Sequence, residues 1–531
     1  MQPGRWSLLV VVCLLVAGCG ADDVGQRKSL LHRGLGSDPE TLDAQRARSV
    51  QAADVLRDIG EGLLGYSATG RLRPAAAQSW DIADDGLTYT FTIRADARWS
   101  NGEPLTAWHF VLGLRRLVDP ANAAFYANTI ADVINAEAII ARDSPVSALG
   151  VEAIDARTLR IRLSRPVPYL LSLLTHPSTF PAHDMSGNVY AAHAPRSPLS
   201  NGAYKLVSWE PGSILRLQRN EHYWNNAATA IDAVHHHVIT EETVELNRYR
   251  AGELHTTDNV PPENFATIKS TYSDELRIAK YLGTYYYGFN LTRAPFRDSP
   301  ELRQALSMAM DREVLVEKIT GRGEAPAYSW VAPGTDNYDP PRLSYADLSQ
   351  AERNSIALSL YQQAGYSADN PAQVELRYNR SDTQRRIALA VQSMWRETLG
   401  FEATLISEEF QVLLTNLREG QVTEVFRGSW IGDYNDATTF LNLMLSSNPA
   451  NMMGYASDEF DSLMQRAAAQ VDAARRRLYL EEAERALLAD HAIMPVYFYV
   501  SKHLVRPEVQ GWEDNVLDYH YSQHLSLDAA Q

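Results

Sequence analysis

Arg427-Gly428-Ser429-Trp430-Ile431-Gly432-Asp433-Tyr434-Asn435-Asp436 reads as a strand running into a loop, with isolated charges of both signs along it. Successive side chains of a strand point to opposite faces, so Arg427, Ser429, Ile431 and Asp433 would share a face, with Trp430 between them on the other. Two readings stay open here. Arg427 and Asp433 could pair internally beside a core Trp, or they could line a cleft built for a zwitterion, Asp433 meeting an ammonium and Arg427 a carboxylate. A second aromatic block, Tyr281-Leu282-Gly283-Thr284-Tyr285-Tyr286-Tyr287, has the same character.

Working outward, Leu87, Tyr89, Phe91 and Ile93 alternate as a half-buried strand, and Leu159, Ile161 and Leu163 repeat the pattern. Ile493 to Val500 is continuously apolar, the signature of a strand buried on both faces. Helix starts are explicit. Thr106 precedes Ala107-Trp108-His109-Phe110, Ser299 precedes Pro300, and Asp311, Ser457 and Asp472 each stand before an apolar set at helical spacing. Strands and helices mix without regular alternation or a fixed repeat, which predicts several α/β lobes. The length of 531 residues allows about three domains of roughly 150 residues. A net charge of −16 is the wrong sign for phosphate backbones, so nucleic acid is not an expected partner.

Both cysteines, Cys13 and Cys19, fall within the first twenty residues. After Arg5 the apolar run Leu8 to Ala17 is too short for a helix that must span a bilayer in about 20 residues, and it has the length of a signal h-region. It ends Leu15-Val16-Ala17-Gly18-Cys19, which resembles the lipobox of bacterial lipoproteins. The expectation is a signal peptide over 1–18, lipidation of Cys19 and a short polar tether over 19–28. A plain secretory signal is the alternative.

Catalytic motifs with clear mechanics are missing: no Gly-x-Ser-x-Gly, His-Glu-x-x-His, Gly-x-x-x-x-Gly-Lys or Cys-x-x-Cys occurs. Asp81 to Gly86 is a poor calcium loop because Ala83 sits where an oxygen is needed. His235-His236-His237 would put His235 and His237 on one strand face, but a metal site needs a third ligand, and a solvated strand edge is the expected reading. No catalytic residue, metal or cofactor is expected.

Several ordered blocks make the chain resemble the oligopeptide receptors of ATP-driven bacterial importers, within the extracellular solute-binding family that includes dipeptide and murein-peptide receptors. They include Arg57-Asp58-Ile59-Gly60-Glu61-Gly62, Trp99-Ser100-Asn101-Gly102-Glu103-Pro104, Asn201-Gly202-Ala203-Tyr204, Tyr223-Trp224-Asn225-Asn226 and the two aromatic blocks. The resemblance implies an α/β, type II periplasmic-binding-protein fold with two hinged lobes and an extra third domain. It would place lobe I at 29–60, 199–282 and 503–531, lobe II (the extra domain) at 61–198 and lobe III at 283–502, with hinge crossings near 282 and 502. It implies a lipid-anchored, periplasmic, monomeric receptor that closes on an oligopeptide and delivers it to membrane permease subunits.

Residue by residue, the resemblance implies that Asp433 takes the peptide ammonium, that Arg427 can meet a terminal carboxylate, and that Tyr126, Tyr281, Asn379 and Trp430 line the cleft. Val50 would lie on a strand edge; Ser429 and Arg418 complete the expected ligand-binding set, Arg418 beside an apparent insertion. Departures are equally specific. Gly283 and Ile431 replace a disulfide, Arg48 replaces an acid, and Thr320 and Gln384, with Arg322 nearby, stand where a lysine and a histidine meet the carboxylates of longer peptides. A murein-peptide receptor of the same fold and, from another class, a lipid-anchored peptide hydrolase are the competing readings.

Overall fold

The computed structural model describes residues 29–184, 199–422 and 424–528. The expected signal segment, Cys13, Cys19 and the tether lie outside them. No helix of the described residues is long and apolar enough to cross a membrane.

Three sheets organise the chain. In the first, strand Leu30–Gly34 runs parallel to Ala233–His237, followed by the antiparallel strands Ile214–Arg219 and Tyr204–Glu210. The second is antiparallel, Ala77–Ile82, Thr88–Ile93, Thr158–Arg162 and Val151–Ala153. Its alternation is as expected, with Tyr89, Phe91, Ile93, Leu159 and Ile161 buried. The third has six strands built around Leu276–Phe289, which pairs antiparallel with Val425–Ile431 on one side and Ile493–Leu504 on the other. Separate cores fill around Trp99, Trp330 and Trp395, each fully buried. The two long strands of the third sheet extend past it, with Leu276 opposite Leu504, and Thr257 N–H donates to Leu504 O at 3.0 Å beside the first sheet. A register shift between Lys280 and Thr284 interrupts that long pair.

The capping signals act where they stand. Ser299 Oγ accepts from Leu302 N at 3.2 Å to open helix Pro300–Met308, and Asp472 Oδ1 accepts from Arg475 N at 2.8 Å to open Ala473–Ala489. Strand Ile493–Leu504 is buried over its first six residues, as its unbroken apolar run requires.

Three expectations are corrected. Val50 is not on a strand edge: Ser49 Oγ accepts from Ala52 N at 3.1 Å and starts helix Val50–Ile59, whose buried Ala52, Val55, Leu56 and Ile59 have helical spacing. The cap and that periodicity together override the extended reading. Strand Ala233–His237 is not an edge, because it lies between Leu30–Gly34 and Ile214–Arg219. Finally, the strand carrying Arg427 stops at Ile431, so Asp433 leaves its alternation, and Arg427 turns to Tyr499 instead of pairing with it.

One buried ion pair ties distant segments together. Arg116, on helix Ala107–Val118, donates to Asp43 Oδ1 at 2.8 Å, Asp43 Oδ2 at 2.6 Å and Gln45 Oε1 at 2.7 Å. Arg116 and Asp43 are 5% and 3% exposed. The bidentate fork anchors the segment that continues into Ala44, Ala47 and Ser49.

Candidate functional site

Gly432 sets the position of the acidic residue after it. Its N–H donates to Leu282 O at 2.7 Å, the last rung of that strand pairing, while the Leu282 N–H turns to Val516 O at 2.8 Å, and beyond this point Asp433 lines a cavity between the sheets. The Asp433 N–H donates to Thr439 Oγ1 at 3.1 Å and fixes the backbone there. The cavity has two chambers, of about 220 and 380 Å³, which share Tyr126, His176 and Asp433 as common wall. The smaller draws on all the segments that the fold brings together: helix Val50–Ile59, the loop at Asp258, Tyr281, and the C-terminal run Leu517 to His520.

Charges on this wall are mostly satisfied within the protein. Arg57 Nη1 donates to Asp54 Oδ1 at 2.9 Å, and its guanidinium lies 3.5 Å from the Tyr519 ring centroid. Arg33 Nη1 donates to His520 O at 2.8 Å and Ser522 Oγ at 2.9 Å, while buried Asp58 accepts from Ser522 N at 2.9 Å and meets His236 Nε2 at 3.0 Å. His503 has an acceptor at each ring nitrogen, Thr257 O at 2.9 Å from Nδ1 and Asp518 Oδ1 at 2.9 Å from Nε2. Both nitrogens must therefore donate. The Asp518 carboxylate pushes the ring up to about 9 despite burial, and Asp518 is itself held far below the usual carboxylate range by the two histidines beside it. His176 is the opposite case: burial, aided by the Arg57 charge, pushes it down to about 3, so it faces the cavity neutral, with its ring 4.4 Å from that of Tyr126.

Asp433 differs from these groups. Its side chain is exposed to the open cavity, and the protein packed around that cavity still pushes its carboxyl up to about 6. Among the described residues it has no cationic partner. Asp258 is also raised to about 6 by burial, but it feels the opposing charge of His503, and Asp433 feels none. A carboxylate that faces an open cavity without a cation partner is solvated by water there and is available to pair with a cation that enters.

Of the expected residues, the structure brings Val50, Tyr126, Tyr281 and Asp433 to the wall of the smaller chamber, with Arg48 beside Val50. Arg427, Ser429, Trp430, Asn379 and Arg418 line neither chamber. Arg427 Nη2 donates instead to Tyr499 Oη at 3.3 Å and sits 5.1 Å from the Tyr285 ring centroid. Ser429 pairs in register with Tyr285, and Trp430 Nε1 donates weakly to Thr439 Oγ1 at 3.4 Å, so Thr439 braces both the Trp and the Asp433 backbone. Asn379 ends strand Glu375–Asn379 with its side-chain oxygen buried and without a partner among the described residues. Arg418 is exposed at the last turn of helix Phe410–Arg418. Thr320 and Arg322 gather on Glu324, which also holds Lys502 at 3.2 Å, and Gln384 Oε1 accepts from Tyr285 Oη at 2.6 Å. Gly283 and Ile431 are direct cross-strand partners.

Sequence reasoning missed Arg33, Asp54, His176, His503 and Asp518. The local signals available were the i,i+3 spacing of Asp54 and Arg57 and the alternation of Asp518 and His520, whereas the partners of Arg33 lie nearly five hundred residues away.

The chain matches the family model for bacterial extracellular solute-binding proteins, family 5 (middle), over residues 71–452. It is 38% identical to the periplasmic oligopeptide-binding protein OppA of Escherichia coli over 506 residues, covering 94% of this chain and 93% of that protein. It is 33% identical to the periplasmic murein peptide-binding protein MppA of the same organism, covering 94% and 93%. Among solved structures, the unliganded open form of the murein tripeptide binding protein MppA superposes with a TM-score of 0.85 at 32% identity, covering 94% of this chain and 98% of that one. Haemophilus influenzae OppA in complex with RPPGFSPFR gives 0.75 at 34% identity, covering 94% and 99%. With that coverage and the mixed α/β sheets of a two-lobe, type II periplasmic binding fold, the chain belongs to the bacterial extracellular solute-binding proteins of family 5.

Proposed function

We propose that this protein is a periplasmic receptor that captures oligopeptides in the cavity at Asp433 and presents them to the membrane subunits of an ATP-driven importer. The observation that carries the reading is the Asp433 carboxylate, exposed to the cavity with no cation partner among the described residues and with its carboxyl raised to about 6. A peptide ammonium supplies the missing charge. Side chains then enter spaces where water adapts to each residue, which leaves recognition largely indifferent to sequence. The better superposition on an unliganded open form (0.85) than on a peptide complex (0.75) supports reading the structure as open. Arg427, Ser429, Trp430 and Asn379 then reach the ligand only on closure, about a hinge near 282 and 502 where the long strand pair is interrupted. The lobe boundaries given above, 29–60 with 199–282 and 503–531, 61–198, and 283–502, are part of this proposal, as is a monomeric state.

Recovering peptides from purified, denatured protein by mass spectrometry tests the reading. Intact short peptides are expected; cleavage products from a tripeptide pool would point to the hydrolase instead. A murein-peptide receptor has one observation in its favour, the 0.85 TM-score to MppA. Branched peptides containing diaminopimelate in the recovered pool would select it.

Anchoring through Cys19 completes the proposal, supported by the Leu15-Val16-Ala17-Gly18-Cys19 signature. In Cys19→Ala the membrane-bound fraction is expected to vanish while peptide affinity stays unchanged. Weakened binding would give Cys19 a role beyond attachment.

A further inference from the structure

Only one face of the first sheet meets the cavity. Arg33 and His236 point toward it, so by strand alternation His32, His235 and His237 point away on the far face. The parallel register sets His32 beside His235 and Gly34 beside His237. As a result His32 Nδ1 and His237 Nε2 lie 2.9 Å apart, and the His235 ring centroid is 5.3 Å from that of His32. One nitrogen from each of the three rings falls within 4.8 Å of the other two.

We propose that His32, His235 and His237 form a binding site for one divalent late first-row transition ion, with Zn²⁺ as its representative. The donor set is three imidazoles, without thiolate or carboxylate, which suits the borderline ions of this series and leaves a fourth position for water. Pulling three nitrogens to Zn–N distances of about 2.0–2.1 Å requires small ring rotations from the spacing present. His255 stacks on His32 with ring centroids 5.6 Å apart, which restricts the ring of the first ligand, and its Nδ1 accepts from the His32 backbone N–H at 2.9 Å, which ties that loop to the strand. The sequence held only two of the three ligands together, since His32 lies 205 residues from His237. The expectation of a histidine cluster without a metal role therefore rested on a missing partner that the parallel strand pair supplies.

Arg248 opposes the ion. Its Nη2 donates to His237 Nδ1 across 3.1 Å, which places the ring proton on Nε2, facing His32. An ion on Nε2 shifts that proton to Nδ1, so Arg248 must turn away, retaining its 2.7 Å bond to Glu253. Arg216, opposite His235 in register, and Lys205 farther along this face are each paired with a carboxylate, Glu210 and Glu221.

Titrating the full mature chain, expressed without a histidine tag, with ZnCl₂ by calorimetry tests the proposal. One ion per chain is expected. His235→Gln, at a half-exposed position, should weaken binding at least about tenfold while leaving peptide affinity unchanged, whereas Arg248→Ala should tighten it. No binding, or binding that His235→Gln leaves unchanged because the ion sits elsewhere, for example at His503, Asp518 and His520, would overturn the proposal.

Discussion

Asp433→Asn should weaken binding of a free-amino tripeptide by about tenfold or more, and weaken the N-acetylated form of the same peptide far less. The amide keeps the shape of the side chain and its place after Gly432, but it cannot offset an ammonium. A hydrogen bond to a charged group is worth about 1.5–3 kcal/mol, and each 1.4 kcal/mol is a tenfold change in Kd. The control ligand has room, because the larger chamber continues on the far side of Asp433 and can receive an acetyl group. Calorimetric titration of both peptides against both proteins closes the double-mutant cycle. Equal losses for the two ligands would show that Asp433 does not meet the ammonium.

Arg116→Met should cost about 3–5 kcal/mol of folding stability, read as a shift in the chemical-unfolding midpoint. The size of the effect comes from what is left behind. Asp43 would keep a carboxylate at 3% exposure after losing both arms of its fork, and Gln45 Oε1 would lose its donor as well. Pairing it with Asp43→Leu should recover much of the loss, since two apolar groups leave no buried charge unpaired. A single variant as stable as the parent would mean that water reaches Asp43.

Much of this molecule was legible before any coordinates. The alternation of Tyr89, Phe91 and Ile93, the unbroken run from Ile493 and the caps at Ser299 and Asp472 are local signals, and each formed the element it encodes. Asp433 and Tyr126 were readable through the blocks shared with a known family. What failed was reach. Val50 was expected to be extended from the resemblance alone, whereas the Ser49 hydroxyl beside it starts a helix, and the face shared by Arg427 and Asp433 assumed a strand that stops at Ile431. The satisfied pairs of the cavity wall, such as His503 with Asp518 and Arg33 with Ser522, join segments whose adjacency only tertiary structure creates.

Gly283 faces Ile431 across the strand pair that borders the cavity, and a Cβ built on Gly283 would come within 2.4 Å of Ile431 Cδ1. One branched side chain occupies the volume of two, so the strands interlock by shape. Both cysteines of the chain precede residue 20, and none is available to the folded body. A cell that exports this protein needs no thiol oxidase to finish it, and reducing surroundings that would loosen a stapled receptor leave this one's binding cleft as it is.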